Sequence, residues 1–140
     1  MPDIPPSQSG SRPNIKSVLV DTSVWVDHFR QGNKGLIHLL EQDQVLIHPL
    51  VIGQLACGTP PERTRTLVDL DNLRHAQQAS LVETLELIER KELFGLGCGL
   101  VDMPLLASTI ITPEAEIRTF DKQLSTLTKR LGVIHRALKH

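Results

Sequence analysis

Residues 18–21, Val-Leu-Val-Asp, constrain this chain more than any other stretch. Three consecutive apolar residues cannot alternate between core and water. They predict a strand buried on both faces, as in a parallel sheet. The run stops at Asp21, Thr22 and Ser23 follow, and an apolar helical pattern begins at Val24. A Thr22 or Ser23 hydroxyl can accept a bond from a free N–H of the first helical turn. Asp21 then sits where a central strand ends and a helix begins, the carboxyl edge at which open parallel sheets bind ligands. An aspartate that only caps or turns the chain fits the same place, and this stretch alone leaves both readings open.

Beyond Asp21 the pattern alternates helices with short apolar runs. Helices are predicted over Val24–Arg30, closed near Gly32, and over Leu36–Gln42, Leu50–Cys57, Pro60–Leu73, Leu81–Leu93, Val101–Ile111 and Lys122–Leu131. In the Leu81 helix, Leu81, Leu85 and Ile88 share one face, predicted inward, with Glu83, Glu86 and Glu89 outward. Strands are predicted at Val45–Ile47 and Ile117–Phe120, with weaker candidates at His75–Ala79 and Val133–Leu138. Such alternation implies an α/β fold with a parallel sheet. With 140 residues, the chain has the length of one domain with a proper core. Residues 1–16, rich in Pro, Ser and Gly, are expected to form a flexible extension ahead of a domain over 17–140.

Composition narrows the function. A net charge of -1 supplies no global basic field for nucleic acid. Three Phe, one Trp and no Tyr argue against an aromatic stacking platform for bases. Cys57 and Cys98 make neither a disulfide framework nor a zinc signature, and read as small apolar fillers in a reducing cytosol. No apolar run is long enough to span a bilayer, and a cytoplasmic protein is expected. The segment Gly95-Leu96-Gly97-Cys98-Gly99 lacks the Lys-Ser/Thr of a P-loop, so it reads as a tight bend delivering Asp102 to the next helix.

Asp21, Asp102 and Asp121 are thereby placed at strand ends or a helix start, and a parallel sheet can bring all three to one edge. Carboxylates held together repel unless a cation lies between them, and oxygen-only ligands suit Mg²⁺ or Mn²⁺. Metal-dependent phosphoester chemistry is one reading. Three unrelated surface aspartates is the other.

Four ordered blocks go further. VDTSVWVDHFR at 20–30, HPLVIGQLACG at 48–58, LFGLGCGLVDMPLLAST at 93–109 and RTFDKQL at 118–124 resemble the PIN-domain toxins of the VapC type, ribonucleases of bacterial toxin–antitoxin pairs. The resemblance covers about residues 17–138. It implies a PIN-like three-layer sandwich with a mostly parallel sheet flanked by helices. It also implies a four-acid cluster holding Mg²⁺ or Mn²⁺, an RNA substrate such as tRNA or rRNA, a homodimer and a cognate VapB-type antitoxin. Asp21, Asp102 and Asp121 match three of the acids and would be the metal ligands. Thr22, Ser23 and Thr119 match the polar residues supporting them. The remaining acid is a glutamate in the family and Gln54 here, similar in shape but uncharged and unable to accept a proton at neutral pH. The expectation is a weakened nuclease. Its rivals are an inactive PIN domain that binds antitoxin or RNA, and a phosphatase or other acid-site hydrolase, which lacks the expected aspartyl nucleophile pattern.

Overall fold

The computed structural model describes residues 16–136. The expectation for residues 1–16 therefore lies outside the described residues, apart from Lys16. Strand β1 (Ser17–Val20) is the middle of a three-stranded parallel sheet, between β2 (Val45–Leu46) and β3 (Ala115–Arg118). Leu19 is in register with Leu46 on one side and Ile117 on the other. Val18, Leu19 and Val20 are all fully buried. Successive strand residues point to opposite faces, so both faces are covered, as a three-layer α/β domain requires.

Seven helices surround the sheet among the described residues: α1 (Thr22–Gln31), α2 (Lys34–Glu41), α3 (Pro49–Ala56), α4 (Arg63–Asp71), α5 (Leu81–Arg90), α6 (Asp102–Ile111) and α7 (Lys122–Arg130). None is long and apolar enough to cross a membrane. The fold is α/β and PIN-like.

Several boundaries differ from the sequence expectation. The Ile117–Phe120 strand begins earlier, at Ala115, and its ladder ends where Asp21 N–H donates to Arg118 O (2.9 Å). The candidates at His75–Ala79 and Val133–Leu138 shrink to single parallel bridges, Ile47 with His75 and Ile117 with Ile134. Residues 137 and 138 lie outside the described range. Pro60 and Pro61 do not open α4. Glu62 takes a left-handed conformation (φ 45°), so helical geometry starts only at Arg63.

The face of α5 is also rotated. Thr84 and Leu87 are buried, whereas Leu81 and Leu85 are 60% and 53% exposed. A capping box fixes the helix start, with Glu83 N–H donating to Ser80 Oγ (3.0 Å) and Ser80 N–H to Glu83 Oε1 (2.9 Å). Thr84 tolerates burial because its hydroxyl donates to Ser80 O (2.9 Å). Cys57 is exposed as the C-cap of α3, not a filler.

His48 links layers. Its Nδ1 accepts from Leu50 N–H (3.0 Å), capping α3, so the neutral ring carries its proton on Nε2 and donates to Ser108 Oγ (3.1 Å) on α6. Burial, with a smaller contribution from His75, pushes the His48 pKa below its ordinary value. The unfolded chain then takes up a proton that native His48 refuses. The contribution of His48 to stability is full above about pH 6.5 and falls as the pH drops from there toward the native pKa. A His48→Asn chain keeps an acceptor for Leu50 N–H and should lose this part of the slope. Urea midpoints at neutral and mildly acidic pH check it, and equal slopes for the two chains would refute the assignment.

Candidate functional site

Asp21 is 5% exposed and sits immediately after β1. The helix cap is Asp21 itself, rather than Thr22 or Ser23. Its Oδ2 accepts from Ser23 N–H (3.4 Å), Ser23 Oγ (2.8 Å) and Thr119 Oγ1 (2.8 Å). A buried carboxylate is tolerated only with such donors. Thr119 lies just beyond β3, so this carboxylate ties the ends of the two neighbouring strands. Thr119 Oγ1 also accepts from Asp121 N–H (3.0 Å). Asp121 caps α7 through Oδ1, which accepts from Leu124 N–H (2.8 Å). It stands three residues past the end of β3, not at the strand terminus.

Asp102 opens α6 after the glycine-rich bend. Gly97 has φ 86°, a conformation that favours glycine, and a side chain there would also press on the flexible Gln123 side chain of α7, which could move aside. Asp102 is half-buried. Its pKa is raised by burial first, then by the charges of Asp21 and Asp121, with a Gly99 backbone N–H acting in the opposite sense. Asp102 therefore lies within electrostatic reach of both Asp21 and Asp121. Each of the three sits at the N-terminus of a helix (α1, α6, α7), where the positive end of the dipole favours negative charge.

Gln54, exposed on α3, is tied to the same edge because Thr22 Oγ1 donates to Gln54 Oε1. Thr22 thus supports the glutamine rather than a carboxylate, while Ser23 and Thr119 support Asp21. The Gln54 NH₂ remains as a donor, where a glutamate would present a second anionic oxygen. A groove of about 400 Å³ runs from Thr22 and Gln54 between α1 and α3, lined also by Val26, Phe29 and Leu55.

Among the described residues no three His, Cys, Asp or Glu side chains are gathered closely enough to hold a metal ion by themselves. The donors are nevertheless all oxygen, and the crowded charge that raises the Asp102 pKa is what a cation would relieve. Mg²⁺ commonly uses one or two carboxylates and keeps several waters, so the set fits that mode rather than an all-protein cage.

Other acidic, aromatic and basic side chains are engaged elsewhere. Asp27 accepts from Gln31 (2.6 Å) and Asn33 (2.9 Å) at the α1–α2 junction, away from the aspartates. Trp25 is a core residue, 3% exposed. Arg63 donates to Ala56 O (2.6 Å) and Gly58 O (3.3 Å), finishing α3. Arg130 donates to Lys91 O (3.0 Å). Sequence reasoning missed Cys98, which the bend carries next to the aspartates. Burial, then Asp102, then Asp121 push its thiol up to about 11. Its place within the bend that delivers Asp102 was the available signal.

The fold and this edge define a PIN-like α/β domain with clustered aspartates at converging helix N-termini. No family model matches the chain. Ribonuclease VapC32 from Mycobacterium tuberculosis, in strains CDC 1551 / Oshkosh and ATCC 25618 / H37Rv, is 40% identical over 116 residues, covering 83% of this chain and 94% of each relative. The chain belongs to the VapC ribonuclease family.

The Cys98 thiol reports on the cluster. In a Cys57→Ser background, Asp102→Asn removes one like charge but not the burial. The thiolate should then form at lower pH than in the parent chain, yet still above the ordinary range. Ultraviolet thiolate absorbance against pH measures this. An unchanged midpoint would mean that Asp102 does not face Cys98.

Proposed function

We propose that this chain is a toxin endoribonuclease of the VapC class, acting on RNA phosphodiesters in the cytoplasm with Mg²⁺ or Mn²⁺, and held to low activity by Gln54. The observation that carries the reading is the placement of Asp21, Asp102 and Asp121 at helix starts on one end of the sheet, with the half-buried Asp102 feeling the charges of the other two, in a member of this family. Asp21 and Asp102 would hold the cation, with Asp121 assisting. When bound, the cation supplies charge for the phosphate and a more acidic water. Ser23 and Thr119 hold the Asp21 carboxylate in one orientation, so its free oxygen keeps a fixed direction. Gln54 fills the space of a glutamate but takes no proton, leaving the edge short of one acid–base group.

The family relationship also supports a VapB-type antitoxin partner. The groove between α1 and α3 fits an apolar peptide whose basic side chain, an arginine above all, reaches the aspartates in place of the cation. A homodimer is supported by a second apolar face, where α5 and the glycine-rich bend expose Leu81, Leu85, Phe94 and Leu100. Hydrogen exchange reads both surfaces. Antitoxin should protect α1 and α3, and rising protein concentration should protect α5 and residues 94–100. Absence of either protection would remove the corresponding partner surface.

Gln54 also favours a second reading, an inactive PIN domain that only binds antitoxin or RNA. Cleavage of a mixed tRNA and structured-RNA pool separates the two. The parent chain should cut slowly with Mg²⁺ or Mn²⁺ and not in EDTA. Gln54→Glu should raise the rate about 100-fold, the lower range for a positioned acid–base group. Adding Asp21→Asn should abolish the gain. Equal rates for the parent and Gln54→Glu would refute the role of Gln54, and no cleavage by any folded version would favour the binding module.

A further inference from the structure

Composition argues against a stacking platform, but the structure offers one ring in a position to serve a single base. Phe120 lies between Thr119 and Asp121 and is 46% exposed. Its N–H donates to Ser23 Oγ (3.0 Å), the same hydroxyl that donates to Asp21 Oδ2 (2.8 Å). The backbone of Phe120 is therefore pinned to the acidic edge while its ring faces solvent. The Arg118 guanidinium lies over the ring, 5.2 Å from its centroid. One face of the ring is thus backed by a cation, and nearly half of the residue remains exposed to a partner.

The other aromatic residues are otherwise engaged. Trp25 and Phe29 pack on each other within α1, with ring centroids 6.0 Å apart. Phe94 belongs to the apolar face around α5. Only Phe120 adjoins the aspartates in sequence.

We infer that Phe120, backed by Arg118, is a substrate-binding residue that stacks one unpaired base of the RNA next to the phosphate to be cut. This rests on the ribonuclease reading above. Every base has a π-face, so such stacking tolerates sequence but demands a base free of its helix. A ring held by a pinned backbone and a cation loses little freedom on binding. Arg118 also places positive charge beside an edge that otherwise repels phosphates.

The test is fluorescence anisotropy with the full chain in EDTA, so that binding is read without cleavage. The probes are a short labelled oligo(A) and an abasic ribose-phosphate oligomer of equal length. Phe120→Ala should bind oligo(A) about tenfold more weakly, within the range for one lost stacked base. Phe120→Trp should restore binding, Phe120→Leu should not, and all versions should bind the abasic oligomer alike. Unchanged oligo(A) binding by Phe120→Ala, an equal loss on the abasic oligomer, or rescue by Phe120→Leu would each overturn the inference while leaving the ribonuclease reading intact. Normal RNA binding with lost antitoxin co-purification would mark Phe120 as a protein contact and also overturn it. No binding of either oligomer by any version would count against the RNA reading itself and remove the inference with it.

Discussion

The candidate site hangs on one oxygen. Asp21 Oδ2 takes the hydroxyls of Ser23 and Thr119 at 2.8 Å each and a longer bond from Ser23 N–H. A carboxylate this deeply buried would be costly without those donors. Satisfying it joins the end of β1 to the segment after β3. Strands of four residues form short ladders, and this linkage adds to the Asp21 N–H to Arg118 O bond in holding their ends level. Thr119 extends the linkage by receiving Asp121 N–H, and Ser23 extends it by receiving Phe120 N–H. One buried charge thus sets the path of residues 119–121 and the start of two helices.

The same edge gathers three carboxylates, and the fold offsets their repulsion only in part. Three helix N-termini supply positive dipole ends, and Asp21 and Asp121 cap two of them directly. Asp102 is the least compensated. Val101, the residue at the cap position of α6, contributes no side-chain bond, and Asp102 feels both neighbouring charges. A neutral Gln54 keeps a fourth charge out of this set. The uncomplexed edge is therefore easier to form than it would be with glutamate; on the proposed reading the same neutrality weakens the hold on a cation, the usual opposition between a comfortable site and an active one.

The parts most legible in the sequence were those where one physical demand dominates. A continuous apolar run ending in aspartate permits little besides a buried central strand, and β1 lies there. The glycine-rich bend was legible because Gly95 and Gly97 take a positive φ that residues with side chains disfavour. Legibility failed where two demands trade off. Periodicity found α5 but not its phase, because Thr84 buries a hydroxyl satisfied by its own helix while Leu81 and Leu85 remain outside. Two prolines suggested a helix start, yet the left-handed turn at Glu62 delays it. Asp21 was posed as either a cap or a site residue, and the structure makes it the cap while setting Asp102 within reach of its charge. Cys98 and Phe120 drew no notice as site neighbours although each stands within a few residues of a site aspartate, because a lone thiol and a lone ring carry no motif of their own.

The apolar residues left outside the core bear on how such a domain is controlled. Large exposed apolar side chains gather around α5 and the bend, and the groove between α1 and α3 is lined mainly by apolar groups. The two surfaces differ in one decisive respect. The α1–α3 groove includes Thr22 and Gln54, which belong to the acidic edge, whereas the α5 face approaches that edge through the glycine-rich bend and through Met103 and Pro104, next to Asp102 on α6. A chain lying in the groove would contact the site directly, and occlusion alone would block substrate without any change of conformation. A partner on the α5 face would act through residues 95–99 or through the first turn of α6, which together place Asp102. Inhibition by the first route needs only affinity, whereas control by the second needs a movement of the bend or of the start of α6.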